Sequence, residues 1–309
     1  MGSPFLMDLI FHADDFGITP EQSEHILRCS DICGGTGALN SLSVLVNSPH
    51  FPTCADLLDE HLDSLRVGLH VNIVEGRCCA DPATIPLLVD GNGVFKHSFA
   101  ELLFAPRGEM RCAYRSQLAA EIGAQLDAYL ARFPQMRGCL RLDSHQHFHL
   151  IPLVFAALLN ALDARGCTLE YLRVPAEPLA PFALTPAVWT RIPPINLIKQ
   201  WLLDYLWRID RKIWEASALA PYEQLSAIFC GINFSGHMTV DRVTEVFPAF
   251  VEYAQTRNMA LELLFHPGGY RDSADALNPA LDGFVAFYTS PLRAAEGETL
   301  RALAIPGAR

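Results

Sequence analysis

The segment Arg141-Leu142-Asp143-Ser144-His145-Gln146-His147-Phe148-His149-Leu150-Ile151-Pro152 sets three histidines at alternate positions behind an aspartate and stops at a proline. Neutral imidazole is the commonest protein ligand for borderline divalent metals. Alternate residues of an extended segment share one face, so this stretch can offer two or three imidazoles to one side of a site. The chain has 11 histidines among 309 residues. Three of them so close together read as a metal or catalytic cluster rather than as chance.

Three further segments carry the same residue types. Asp14-Asp15-Phe16-Gly17 offers two carboxylates, which suits a division of labour between a metal ligand and a base. Capping of the following helix is the structural alternative, but Gly17 and Thr19-Pro20 already supply turn and cap chemistry. His70, in Gly68-Leu69-His70-Val71-Asn72, reads on its own more readily as a core histidine. His266 precedes Pro267-Gly268-Gly269, a rigid turn that would fix its imidazole as a general acid, although a histidine there also fits a solvent-facing position. Together, Asp15, His70 and His145 form a set of two histidines and one carboxylate. Three protein ligands leave a position open for water or substrate, the mark of a catalytic metal. Iron oxygenases use such a set too, so the ligands alone do not name the reaction. The extra carboxylate of Asp14 and the remote His266 point to hydrolysis, as a base and an acid around an activated water.

The elements that must position these residues alternate. Strands are predicted at Phe5–His12, Ala38–Val46, Arg66–Ile73, Cys139–Asp143, Tyr171–Val174, Ala227–Asn233 and Ala260–Phe265. Helices are predicted at Pro20–Cys33, Phe51–Leu62, Arg111–Phe133, Pro152–Arg165 and Val240–Thr256, with a long polar loop and an Asp90-Gly91-Asn92-Gly93 turn around Pro82–Phe95. Such alternation means a parallel sheet covered by helices. Asp14, Asp15, His70, His145 and His266 all fall just after strand ends, where parallel α/β folds place their sites. A barrel gathers several strand ends around one axis, so the expected architecture is an α/β, TIM-barrel-like (β/α) barrel, seven-stranded and distorted, over 1–309. An insert at about 175–225 interrupts the alternation. Its amphipathic helix, Ile195 to Trp214, carries Ile198, Trp201, Leu202, Tyr205, Leu206 and Ile209 as a broad apolar stripe. The stripe fits a cap packed on the barrel; the sharper alternatives are a homodimer interface or a surface for an apolar substrate moiety.

Bulk composition narrows the partners. A formal net charge of −11 without a basic block argues against nucleic acid and anionic membrane surfaces. No apolar run reaches the length of a transmembrane segment. Leu6 to Phe11 reads as a strand rather than the core of a signal peptide. The 9 cysteines form no CxxC pair and read as small buried hydrophobes in a reducing compartment. The expectation is a cytoplasmic protein.

The motifs resemble the YdjC/ChbG family of carbohydrate deacetylases along most of the chain. His12-Ala13-Asp14-Asp15-Phe16-Gly17 is similar to the family's opening NADDFG motif, with His12 where the family usually has Asn. Gly68-Leu69-His70-Val71-Asn72-Ile73-Val74-Glu75-Gly76 is similar to GLHLNLTEG, Asp143–His149 to DSHHHVH, and Glu262 to Gly268 to the late E-x-x-x-HPG segment. The resemblance implies a TIM-barrel-like fold, a divalent metal ion (Mg2+ or Zn2+) and removal of an N-acetyl group from an amino sugar. It carries the ligand role to Asp15, His70 and His145, the base to Asp14 and the proton donor to His266. His147, His149, Asp143, Asn72 and Glu262 are then candidates to orient the ligands or to touch the substrate. Phe104-Ala105-Pro106 and Arg173-Val174-Pro175-Ala176-Glu177-Pro178 look more like the hopanoid-associated HpnK branch, which implies a lipid-linked acetylated sugar within reach of the insert. Two rival readings are a non-catalytic, metal-containing sugar-binding module and a metal-dependent phosphoesterase. Binding alone needs neither base nor acid, and no Arg or Lys lies in the four motifs to meet a phosphate.

Overall fold

The structure is a computed structural model that describes residues 7–303 except 33, 105–106, 270–274, 276 and 279–281. In chain order its elements are β1 (Leu9–Phe16), α1 (Pro20–Leu27), β2 (Ser41–Val44), α2 (Phe51–Asp56), β3 (Arg66–Val71), α3 (Phe99–Leu103), α4 (Glu109–Arg132), β4 (Leu140–Ser144), α5 (Pro152–Asp163) and β5 (Leu169–Leu172). They continue with α6 (Ala180–Ala183), α7 (Pro186–Trp189), α8 (Pro194–Glu215), α9 (Tyr222–Leu225), β6 (Ala227–Cys230), α10 (Val240–Gln255), β7 (Ala260–Phe265), α11 (Asp282–Tyr288) and α12 (Leu292–Ala302).

All seven expected strands are present, in the order β5-β4-β3-β2-β1-β7-β6, and every pairing is parallel. The period of two along each strand sorts the side chains. Phe11 and Ala13 of β1, Val67, Leu69 and Val71 of β3, Leu140 and Leu142 of β4, and Leu261 and Leu263 of β7 join the main apolar core. The alternating positions His12, Asp14, His70, Asp143 and Glu262 are buried polar groups that meet one another. The sheet curls until Tyr171 on β5 packs with Ile10 on β1 and Ala227 on β6, and the Tyr171 hydroxyl donates to Glu262 on β7. No ladder joins β5 to β6 among the described residues, so the seven strands make a distorted (β/α) barrel with one open seam.

Several boundaries differ from the sequence prediction. β1 begins at Leu9 and runs through the aspartate pair to Phe16, because its pairing with β2 continues to Phe16↔Val44; Phe5 and Leu6 lie outside the described residues. α1 stops at Leu27 in a turn, and Cys33 is likewise outside them. α2 ends at Asp56, with turns to Ser64. The loop after Pro82 is less polar than expected: the Asp90–Gly93 turn forms, but Ile85, Leu88, Val89 and Phe95 are buried. Of the eight described cysteines, Cys29, Cys54 and Cys230 are buried, four are partly exposed and Cys112 is exposed. The expectation that all nine are buried is therefore wrong for those five, which lie on helix and loop surfaces.

The insert folds as α6 to α9, with α8 packed on α5. Its seated face is turned relative to the expected stripe. Asn196, Gln200, Leu203, Leu206, Trp207, Asp210 and Trp214 are buried, whereas Ile198, Trp201 and Tyr205 are each about three-fifths exposed. Indole packing explains the choice: Trp214 stacks on Phe155 of α5 and meets Trp207 edge-on. No helix of the described residues is long and apolar enough to cross a membrane.

Candidate active site

The loop after β1 is built for close approach. Thr19 caps α1 by accepting the Gln22 N–H at 3.1 Å, so neither aspartate is spent on capping. Asp15 has φ 66°, a left-handed conformation rare for a non-glycine residue and concentrated at functional sites. The Gln22 amide holds it there by donating to the Asp15 carbonyl at 2.8 Å. The loop after β4 is equally unusual. His145–Leu150 forms short 3-10 turns in which Gln146 and His147 take positive φ. That geometry overturns the expectation of one shared face for the three histidines, because the segment is not extended. His145 turns to Asp15 at 3.1 Å, His147 lies edge-on to Phe229, and His149 turns to Ser144 and the Arg173 carbonyl.

Asp15, His70 and His145 bring one ligand atom each to within 4.8 Å of one another, and all three are buried. His70 Nε2 faces Asp15 Oδ1 at 3.5 Å and has no hydrogen-bond partner of good geometry among the described residues. Its Nδ1 is 2.5 Å from Asp143 Oδ1. A carboxylate behind an imidazole whose other nitrogen is open is the usual arrangement around a histidine-bound metal. Charge agrees: the buried carboxylates Asp14, Asp15, Glu75, Asp143, Glu262 and Glu296 outnumber the buried guanidinium groups of Arg173 and Arg293. Burial opposes protonation of His70, but Asp14 and Asp143 outweigh it and raise the imidazole to about 10. His145 rises to about 9 against the same burial penalty, through Asp15 and Glu75. Burial would raise Asp15, yet His145 and His70 hold its carboxyl well below the usual range. A cluster that draws protons onto its imidazoles is one in which a divalent ion can replace them. The residues therefore fit a metal.

A second buried group, His12, Asp14 and Asp143, has similar spacing, but its cation place is taken. Arg173 donates to both Asp14 oxygens at 3.0 and 2.9 Å, lies 3.0 Å from Asp143 and donates to Glu262 at 2.8 Å. Burial pushes the Asp14 carboxyl up, and Arg173 more than reverses this, so Asp14 is a carboxylate well below the ordinary range. His12 Nε2 lies 3.2 Å from both Asp14 and Asp143, and its Nδ1 lies 2.8 Å from Ser41. His266 Nε2 faces Asp14 Oδ2 at 3.9 Å.

Asp14, Asp15, His145, His147 and His266 line a cavity of about 740 Å³ with Phe99, Leu202, Leu203, Ile232 and Phe287 on its apolar side. Burial and then Arg173 push His147 well below its ordinary value, and burial lowers His149 to about 4. Both are neutral near pH 7. Asn72 and Glu262 do not line the cavity. Asn72 shapes the loop after β3, where its Oδ1 accepts the Val74 and Glu75 N–H groups, and Glu262 anchors Tyr171 and Arg173.

Four contributors escaped the sequence reading of the site. Arg173 stands one residue past β5, and the strand-end rule that found the histidines applies to it equally. The four motifs hold no Arg or Lys, as read from the sequence, but Arg173 and Arg293 bring cations to the site from outside them. Glu75 lies inside a quoted motif and reaches His145 Nε2 at 3.2 Å. Arg293 and Glu296 sit on α12: Arg293 is 3.4 Å from Asp15 and Glu296 accepts the His266 N–H at 2.5 Å. A charged pair on a terminal helix looks solvated in sequence and gave no signal.

Known proteins resemble this chain in sequence and fold. The YdjC-like protein family matches residues 8–303. A carbohydrate deacetylase of Mus musculus is 28% identical over 276 residues, 84% of this chain and 77% of that protein. A chitooligosaccharide deacetylase of Proteus mirabilis is 32% identical over 172 residues, 55% of this chain and 60% of that protein. A solved Enterococcus faecalis structure, named for cellobiose-phosphate cleavage, superposes with TM-score 0.63 at 15% identity over 96% of this chain and 90% of that one, which speaks to the fold alone. The four motifs, the seam-opened barrel and the match over nearly the whole described chain agree: this chain belongs to the YdjC-like protein family.

Proposed function

We propose that this chain is a metal-dependent carbohydrate N-deacetylase, a hydrolase that cleaves the acetamide of an amino sugar. The observation that carries the reading is one cavity lined by Asp14, Asp15, His145 and His266, with Asp15, His70 and His145 spaced to hold one ion. Carbohydrate deacetylases among its relatives support the same chemistry.

Asp15, His70 and His145 would hold Zn2+ or Mg2+; when bound, such an ion lowers the pKa of a water and polarises a carbonyl. Asp14, kept ionised by Arg173, accepts the proton of the attacking water. His266, 3.9 Å from Asp14 Oδ2 and on the cavity wall, protonates the departing amine, which leaves poorly as an anion. Neutral His147 offers a hydrogen bond to a sugar hydroxyl. Arg173 is spent on three carboxylates, and Arg293 on Asp15 and the Gly268 carbonyl; Lys199 also lines the cavity, so it is the base and acid placed around Asp15, rather than a lack of cations, that favour the deacetylase over the phosphoesterase. The apolar wall of Leu202, Leu203 and Phe287 suits a lipid-linked acetylated sugar better than a long, fully polar oligosaccharide. A cytoplasmic barrel comprising one deacetylase-like domain over 1–309 completes the proposal.

The test is acetate release from N-acetylglucosamine, chitobiose, longer chitooligosaccharides and a lipid-linked N-acetylhexosamine, each with EDTA and then with added zinc or magnesium. Acetate that disappears with EDTA and returns with metal is expected. Zinc bound at the site with no acetate from any substrate would favour the non-catalytic sugar-binding module.

A further inference from the structure

We propose that Glu75 sets the tautomer of His145, so that the two ligand histidines meet the ion through opposite ring nitrogens, His70 through Nε2 and His145 through Nδ1. The inference rests on the reading that Asp15, His70 and His145 hold the ion. A neutral imidazole has one N–H and one lone pair, and a carboxylate at one nitrogen keeps the N–H there. On His70 the carboxylate of Asp143 is at Nδ1, 2.5 Å away, and Nε2 is turned to Asp15 Oδ1. On His145 the distances place the nitrogens the other way round: Nδ1 is 3.1 Å from Asp15 Oδ1, with which it forms a hydrogen bond in the absence of an ion, and Nε2 is 3.2 Å from Glu75 Oε2. Asp15 Oδ1 thus faces an Nε2 on one side and an Nδ1 on the other, with a carboxylate behind each ring.

Glu75 is held for this task. Asn72 Oδ1 accepts the N–H groups of Val74 and Glu75 at 3.0 Å each. The side-chain amides of Asn72 and Asn47 donate to the Glu75 carbonyl at 2.8 and 2.9 Å. The Tyr288 hydroxyl donates to Glu75 Oε2 at 3.4 Å. A fully buried carboxylate is costly unless hydrogen-bonded, and a proton on His145 Nε2, 3.2 Å from Glu75 Oε2, would pair with it as the other tautomer cannot. Glu75 is therefore a positioning residue: it acts through His145, and Asn72 acts through Glu75.

The first readout uses the wild-type protein loaded with Zn2+ and labelled with 15N-histidine, in long-range 1H–15N correlation spectra. His70 should carry its proton on Nδ1 and the metal on Nε2, and His145 the reverse; metal on the same nitrogen of both rings would overturn the proposal. The second readout is the Zn2+ dissociation constant by chelator competition. Glu75→Ala should weaken zinc by about 10–100-fold. Glu75→Gln should weaken it less, because its amide oxygen still accepts from Nε2–H. Equal losses in the two variants would make Glu75 a direct ligand, and no loss in Glu75→Ala would make it irrelevant to the ion. Neither readout depends on turnover, so a failed deacetylase assay leaves the proposal standing or falling on its own.

Discussion

Arg173 and Asp14 are the residues on which stability and chemistry meet. The Arg173 guanidinium is fully buried and pairs with Asp14, Asp143 and Glu262. Removing one partner of a buried ion network leaves uncompensated charge, at about 3–5 kcal/mol. Arg173→Met should therefore lower the unfolding free energy of the metal-free protein in urea by that order, and an unchanged midpoint would mean that the guanidinium is dispensable to the fold. Asp14 presents a different case. Its contacts are with Arg173, His12 and His266, and it acts on His70 only through its charge, so Asp14→Asn should change zinc affinity little while kcat falls by roughly 10²–10⁴, the usual worth of a general base. A variant with normal turnover would remove Asp14 from the base role. The two substitutions separate a residue that holds charge in place from one that moves a proton.

At the scale of elements, α8 carries a liability that predicts a pH dependence. Asp210 is buried on its seated face, neither side-chain oxygen has a hydrogen-bond partner among the described residues, and burial pushes its carboxyl up to about 8. A carboxyl raised in the folded state favours folding while it is protonated. That stability is fully present below its unfolded value and is lost as pH rises from about 4 through about 8. Asp210→Asn should match the wild type near pH 5 and exceed it near pH 9 by roughly 4 kcal/mol, the worth of about three pH units, or about 4–8 °C in melting temperature for a chain of this size. Equal melting temperatures at both pH values would mean that Asp210 finds water or a cation. The same helix shows what sequence could and could not give. The strands were legible because apolar runs between turn signals mark a parallel sheet, and the ligands were legible because they end those strands. The face of α8 was not, since apolar residues surround it and only the contacts of Trp207 and Trp214 choose a side. Nor was the divergence of His145, His147 and His149, which depends on positive φ at Gln146 and His147 rather than on spacing. Arg293 and Glu296 show the same limit from the polar side: their burial comes from where α12 docks, which local pattern does not encode.

At the scale of the whole molecule, the barrel places a polar, metal-competent floor and an apolar wall around one cavity, and α8 belongs to both the wall and the surface. Leu202 and Leu203 line the cavity, while Ile198, Trp201 and Tyr205 continue the apolar character outward on the same helix. A net charge of −11 gives this face no general attraction to anionic membranes, so any preference for a lipid must come from contact inside the cavity. Shortening a side chain in an apolar subsite costs about 1–3 kcal/mol of discrimination. Leu202→Ser should therefore raise KM for a lipid-linked N-acetylhexosamine by roughly 10-fold or more, and leave kcat/KM for N-acetylglucosamine unchanged if the apolar wall meets the lipid and not the sugar. Trp201→Ser serves as the control, since Trp201 is on the outside of the helix and does not line the cavity. Equal losses on both substrates for Leu202→Ser would place Leu202 against the sugar itself. A loss confined to Trp201→Ser, together with a change in sedimentation coefficient, would assign the outer stripe to a second copy of the chain.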